Sequence, residues 1–261
     1  MRQPPLVSTI ERRLLVNYRV DPQVAARLLP APLRPQLVRG YAVAGICLLR
    51  LGDVRPDRVP RAVGLGSENA AHRFAVEWDG LHGVEAGVYI PRRDTASRLN
   101  AWAGGRLFPG EHHRAHFQVS ETPDELNVAY TTTDRTTRVN VAVTVVDDLH
   151  SSDLFIDLDE ASDFFRRGSA GYSATTAGRR LDGMQLQTDA WKVSACQVRH
   201  GTSTFFDDPD RFPVGSAILD CALLMRNLPA RWRPLPAMAS VPRVPDDSGE
   251  AASPGRHEAS V

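Results

Sequence analysis

The stretch Arg138-Val139-Asn140-Val141-Ala142-Val143-Thr144-Val145-Val146 decides the fold class. Val139, Val141, Val143 and Val145 alternate with Arg138, Asn140, Ala142 and Thr144. A period of two means a strand with one buried face and one wetter face. Just upstream, Leu126, Val128 and Tyr130 repeat the pattern, and the stretch 131–137 with Asp134-Arg135 supplies the turn. Further out, Val84, Ala86, Val88 and Ile90 alternate with Glu85, Gly87 and Tyr89. Phe74, Val76 and Trp78 alternate with Ala75 and Glu77, and Asp79-Gly80 follows as a hairpin signal. More strands are predicted at residues 11–20, 40–51, 112–120, 181–188, 191–200 and 216–226. Short connections between so many strands favour an antiparallel sheet or barrel over βαβ units.

Three helices are predicted. Asp21 caps the first, with Pro22 at its first position and a stripe of Val24, Ala25, Leu28 and Leu29. Asp94-Thr95 caps the second, which carries Leu99 and Trp102 and stops at Gly104-Gly105. The third covers about 157–167, with Asp157, Asp159 and Glu160 at its start, Arg166 and Arg167 at its end and Gly168 beyond. That charge order complements the helix dipole. The class is β-rich α+β.

The chain has 261 residues, with 31 basic side chains balancing 31 acidic ones. Thirty of the basic residues are Arg and one is Lys192. The abundance of Ala, Arg, Val, Gly and Pro fits a GC-rich coding sequence. A net charge of zero offers no attractive field to a phosphate backbone, so nucleic acid is not expected as a partner. The hydrophobic fraction of 42% suits a globular protein. The longest apolar run, 41–49, is far short of the roughly 20 residues that span a bilayer. Met1-Arg2-Gln3-Pro4-Pro5 lacks the apolar core of a signal peptide. Cys47, Cys196 and Cys221 are widely spaced and suggest neither a disulfide framework nor a zinc site. A reduced, cytoplasmic protein is expected, without membrane partners. Residues 1–9 read as an N-terminal tail, 10–236 as one domain and 237–261, rich in Pro, Ser, Gly, Asp and Glu, as a disordered tail.

Motifs for nucleotide binding and serine hydrolysis are missing. Gly64-Leu65-Gly66 runs into Ser67-Glu68, and Gly168-Ser169-Ala170-Gly171 has the wrong spacing for a nucleophile elbow. The densest polar cluster is Pro109-Gly110-Glu111-His112-His113-Arg114-Ala115-His116. On a strand, His112, Arg114 and His116 face one way and His113 the other. A histidine beside an arginine can bind a carboxylate or move protons. Two histidines on one face can also hold a metal, but the cupin-type pattern is not cleanly present, so no metal or other cofactor is assigned. The alternative is an edge strand with solvated imidazoles. If residues 191–200 form a strand, Lys192 shares a face with Ser194 and Cys196 and is a Schiff-base candidate. The alternative is a surface lysine. Glu68, Glu77 and Glu85 are general acid or base candidates on or beside strands, or else outward carboxylates. Trp78, Trp102, Trp191 and Trp232 read as core.

Between Ser67 and Phe117 a further pattern emerges. Ser67-Glu68-Asn69 precedes a strand and the run Gly87-Val88-Tyr89-Ile90-Pro91-Arg92-Arg93-Asp94. A short helix, Gly105-Arg106 and Phe108-Pro109-Gly110 follow. With Leu29-Pro30, Phe205-Phe206-Asp207-Asp208, the run from Asp220 to Arg226, and Trp232, this resembles the acetoacetate-decarboxylase-like superfamily, in its YqjF-like uncharacterised bacterial branch. The resemblance spans about 10–235. It implies a curved, largely antiparallel sheet or barrel around a central cavity, with a few outer helices. It also implies a lysine pair, the first forming a Schiff base and the second depressing its pKa. Those positions fall near His113 and Arg114, and neither is lysine. The glutamate of the pattern falls near Glu68.

The resulting expectation is a protein that binds a small organic acid or carbonyl compound in a central cavity. If it is an enzyme, it is a lyase- or hydrolase-type catalyst lacking the lysine pair. Glu68 and His113 are the expected acid/base residues. Arg114, His112 and Arg106 are the expected ligand-binding residues. A non-catalytic carrier or sensor, and a Schiff-base lyase using Lys192, stand as alternatives. A homodimer is left open.

Overall fold

Alternating apolar positions become strands in a computed structural model that describes residues 5–60, 64–98, 101, 108–149, 151–175 and 179–241. In chain order the elements are β1 (Leu6–Val20), α1 (Pro22–Arg27), β2 (Arg34–Pro35), β3 (Leu37–Val38), β4 (Tyr41–Pro56), β5 (Leu65–Gly80), β6 (Gly83–Thr95), β7 (His112–Glu121), β8 (Glu125–Thr132), β9 (Arg138–Val146), α2 (Leu158–Arg167), β10 (Ala170–Ala174), β11 (Arg180–Gln187), β12 (Ser194–Ser203) and β13 (Ala217–Ala239). In β9 the period-two pattern holds: Val139, Val141 and Val143 are buried, whereas Arg138 and Asn140 are exposed.

β13, β1, β4, β5 and β6 lie side by side and antiparallel. The other edge of β13 meets β12 at residues 222–224 and β11 at residues 231–239. β6 also divides its free edge, between β10 at Val88 and Tyr89 and β7 at residues 93–95, both parallel. Through β7, β8, β9 and β12 the sheet closes into a ring of nine strands that is not a true barrel. Through β10 and β11 it closes a second, smaller ring that shares the same five strands.

The shared strands are covered on both sides, which is why they read as unbroken apolar runs. Residues 42–48 of β4 are all buried. One face packs Leu14, Val16, Ile46 and Phe74 against the β8 and β9 apolar rows and against Phe205, Phe206 and Phe212. The opposite face packs Leu15, Val43, Cys47 and Leu223 against Ala161, Phe164 and Phe165 of α2. Asp157 caps α2 by accepting from the Glu160 N–H at 2.8 Å. Asp21 caps α1 by accepting from the N–H groups of Gln23 and Val24.

Four expectations are corrected. Asp94 and Thr95 end β6, in register with Ala70 and Asn69 of β5, and the Thr95 hydroxyl accepts from the Ser97 N–H ahead of the helical residue Arg98. The side chain of Asp94 is taken by Arg92 and Tyr130 instead. The carbonyl of Ser97 accepts from the Ala101 N–H, while Leu99 and Trp102 of the predicted helix lie outside the described residues. Trp191, Lys192 and Val193 precede β12 as irregular chain. β1 already begins at Leu6, inside the predicted N-terminal tail. β13 continues to Ala239 and Val241 bridges Ala31, so the ordered chain passes the predicted boundary at 236. No helix among the described residues is long and apolar enough to cross a membrane.

Candidate functional site

Strand register assembles the site. Cys47 of β4 pairs with Ala71 of β5, Ala71 with Arg93 of β6, and Arg93 with His112 of β7. Residues paired across strands share a face, and so do residues two apart on one strand. Asn69 and Arg73 therefore join Ala71 on this face, Thr95 joins Arg93, and Arg114 joins His112. Thr95 donates its hydroxyl to Asn69 at 2.8 Å, consistent with that placement.

Here a small pocket of about 50 Å³ is lined by Cys47, Leu49, Leu51, Phe108 and Trp232 on its apolar side. Asn69, Arg93 and His112 bring polar groups to it, whereas Asp94 borders it with its carboxylate turned to Arg92 and Tyr130 on the other face. At roughly 10–15 Å³ per water, there is room for a few heavy atoms. The ring of His112 contacts the Gly110 carbonyl through Nδ1 at 3.1 Å. That contact assigns the proton to Nδ1 and leaves Nε2 as the acceptor. Burial, then the charge of Arg93, pull the His112 pKa down to about 4, so its imidazole is neutral near pH 7. Gly110 has φ +91, and a side chain there would collide with Ser173 of β10.

Asp94 is 1% exposed. Burial raises its pKa, against the charge of Arg92 and the hydrogen bond from Tyr130. On its far side, His72 lies 3.9 Å away through Nδ1 and contacts the Ser203 hydroxyl through Nε2 at 3.3 Å. Burial first, then Arg92 and Arg211, bring the His72 pKa down to about 3. His72 also stacks on Phe205.

The predicted site residues separate. His112 lines the pocket. His113 faces the other way, into a cleft of about 410 Å³ with Arg92, Thr204, Phe205 and Arg211. Arg114 holds a buried Nη1 without a hydrogen-bond partner. Glu68 is tied by both oxygens, to Arg12 at 2.5 Å and Arg50 at 2.6 Å. Arg12 also reaches Glu121 at 3.3 Å, which Arg226 holds at 3.0 Å. This network fastens β1 to β5 and to the end of β7. Lys192 is exposed and lines none of the pockets named here. Arg106 lies outside the described residues.

A family model described as an uncharacterized conserved protein matches residues 8–214. The chain belongs to the DUF2071 family. No curated protein matches it. Among solved structures, the enduracididine biosynthesis enzyme MppR is 16% identical with a TM-score of 0.56, over 92% of this chain and 88% of that one. An acetoacetate decarboxylase-like enzyme from Sphingomonas wittichii RW1 is 14% identical with a TM-score of 0.56, over 92% and 94% of the two chains. The acetoacetate decarboxylase from Legionella pneumophila is 12% identical with a TM-score of 0.54, over 92% and 88%. At these identities the likeness is one of fold, and it agrees with the superfamily resemblance carried by the sequence.

Sequence reading missed Arg73, Arg93, Asp94 and His72 of this DUF2071 chain as site residues. A signal existed. In β5, His72 and Arg73 interrupt an apolar run whose residues 72–76 are all buried. Only the two-sided burial of β5 gives that interruption meaning.

Proposed function

We propose that this DUF2071 protein binds a small organic acid or carbonyl compound in the pocket beside His112, and handles it without an amine nucleophile. The observation that carries the reading is the meeting of Arg93, Asn69 and His112 on one otherwise apolar wall. Small-ligand sites have this composition: apolar walls with a few convergent polar groups. The chain's single lysine, Lys192, lies exposed ahead of β12, which supports chemistry without a Schiff base. His112 is the acid/base residue in this reading, through the Nε2 that its bond to the Gly110 carbonyl leaves free. Glu68 is a positioning residue that holds β5 through Arg12 and Arg50.

Isothermal titration with pyruvate, acetoacetate and acetone tests the binding. Wild type should bind at least one, and His112→Ala should weaken it by about tenfold, the worth of one hydrogen bond. No binding across the panel would sink the proposal. Borohydride treatment with the same compounds should leave Lys192 unmodified, and an adduct there would restore the Schiff-base alternative. A non-catalytic carrier is the second reading, favoured by the share of Leu49, Leu51, Phe108 and Trp232 in the pocket wall. Proton NMR of acetoacetate and pyruvate with the protein separates the two by the presence or absence of turnover.

A further inference from the structure

We infer that this chain carries a second binding site, a polar cleft on the face of β13 that bears Arg231 and Arg233, and that its ligand is a neutral sugar. The site is independent of the pocket beside His112. Strand register builds its floor. Arg55 of β4 pairs with Val7 of β1, Val7 with Arg231 of β13, and Arg231 with Gln187 of β11. Arg233 and Gln185, paired with each other, lie two positions along on the same face. Trp232 stands between the two arginines and points the other way, into the pocket beside His112. The floor belongs to a cleft of about 910 Å³, which has no lining residue in common with that pocket. Asp189 and Trp191, from the irregular chain ahead of β12, and Arg166, near the end of α2, form its wall. Trp191 is fixed there by its Nε1, which donates to the Ser162 hydroxyl at 3.0 Å.

Charge decides the ligand class. Arg55 faces Asp53 at 3.4 Å, Arg166 holds Asp163 at 2.7 Å and Arg231 holds Asp57. Arg233 and Asp189 make no ion pair among the described residues, and their charges oppose each other in the same cleft. Every guanidinium here is matched by a carboxylate, so an anion gains no net field.

What the cleft offers instead is unused hydrogen-bonding capacity of both signs. The Nε of Arg55 is buried without a partner, on a side chain 14% exposed. Withdrawing such a donor from water is unfavourable, and a ligand oxygen would restore the lost bond. Gln187 donates to Gln185 over a long 3.5 Å. That leaves the Gln185 amide nitrogen and the Gln187 carbonyl without a side-chain hydrogen bond among the described residues. A pyranose matches this set. Each of its hydroxyls both donates and accepts, and neighbouring hydroxyls engage forked guanidiniums, amides and carboxylates together. The C–H face of a sugar ring suits an indole wall such as Trp191. A cleft of this volume has room for one or two rings.

Isothermal titration and ligand-observed NMR with glucose, galactose, maltose and lactose test this on the wild-type protein, beside gluconate and inorganic phosphate. At least one neutral sugar should bind with a dissociation constant of about 1 mM or tighter, the sum of a few net hydrogen bonds. Asp189→Ala and Arg233→Met should each weaken it by about tenfold, the loss expected for a hydrogen bond to a charged group. Both side chains are exposed, so neither change should disturb folding, and unchanged urea midpoints check this. His112→Ala should leave sugar affinity as it is, and neither cleft variant should alter pyruvate binding beside His112. No sugar bound at concentrations up to about 10 mM would overturn the inference. So would equal sugar affinity in wild type and both cleft variants. Gluconate or phosphate bound in preference to the neutral sugars, and lost in Arg233→Met, would replace the sugar with an anion. The pocket beside His112 stands or falls separately, on its own titrations.

Discussion

His72 shows how one buried side chain sets a pH response. Its imidazole has an ordinary pKa of 6.5, and burial, followed by the charges of Arg92 and Arg211, holds it near 3. The unfolded chain takes up a proton below pH 6.5 that the folded chain refuses until near pH 3. Stability from this group is therefore complete above 6.5 and declines as pH falls. At pH 5 the deficit is about 2 kcal/mol. His112 works in the same sense down to about 4. Asp94, raised by burial, works in the opposite sense. Urea unfolding at pH 7.5 and pH 5 should show the loss. In His72→Gln the difference between the two pH values should shrink by about 2 kcal/mol, the same linkage in reverse. Sequence reading passed over His72 because it was drawn to the visible cluster at 112–116. A lone histidine between Ala71 and Arg73 gives no hint of a two-sided interior.

Elements were legible where the pattern was local. The alternation of β8 and β9, the Asp21-Pro22 start of α1 and the charge order of α2 all became what they predicted. Asp94 misled because a carboxylate closing a strand looks, in sequence, like one opening a helix. Only the distant Tyr130 and the neighbouring Arg92 decide between them. The far half of β13 was invisible for another reason. Pro229, Pro234 and Pro236 argue against a strand. Yet this strand runs on through all three, pairing Pro229 with Thr9 and Pro234 with Met184. The cap of α2 makes a test at this scale. Asp157→Ala should cost about 1 kcal/mol, as loss of an N-cap does. Urea denaturation should find it, with ligand binding retained because Asp157 lies outside the pocket.

At the scale of the whole molecule, the five shared strands bind the two rings into one structure. Neither ring retains its wall if the other's strands leave. Unfolding should thus be a single transition, with far-ultraviolet dichroism, near-ultraviolet dichroism and tryptophan fluorescence coinciding. Separate transitions by these probes would contradict the shared wall. The superfamily resemblance supplied this architecture in outline. It did not supply the pocket chemistry, because the lysine positions it points to fall near His113 and Arg114, on opposite faces of β7.

The pairing of β1 with β13 has a consequence for biosynthesis. Leu6 meets Trp232 and Val20 meets Ala217, so β1 waits for β13, which is made about 200 residues later. While the ribosome is still at work, β1 and β4 can form a hairpin, but their open edge stays without its neighbour. Neither ring can close until β13 has left the exit tunnel. Closure is then delayed until β13 emerges, and the nascent chain spends that interval exposed to aggregation through its unpaired strand edge.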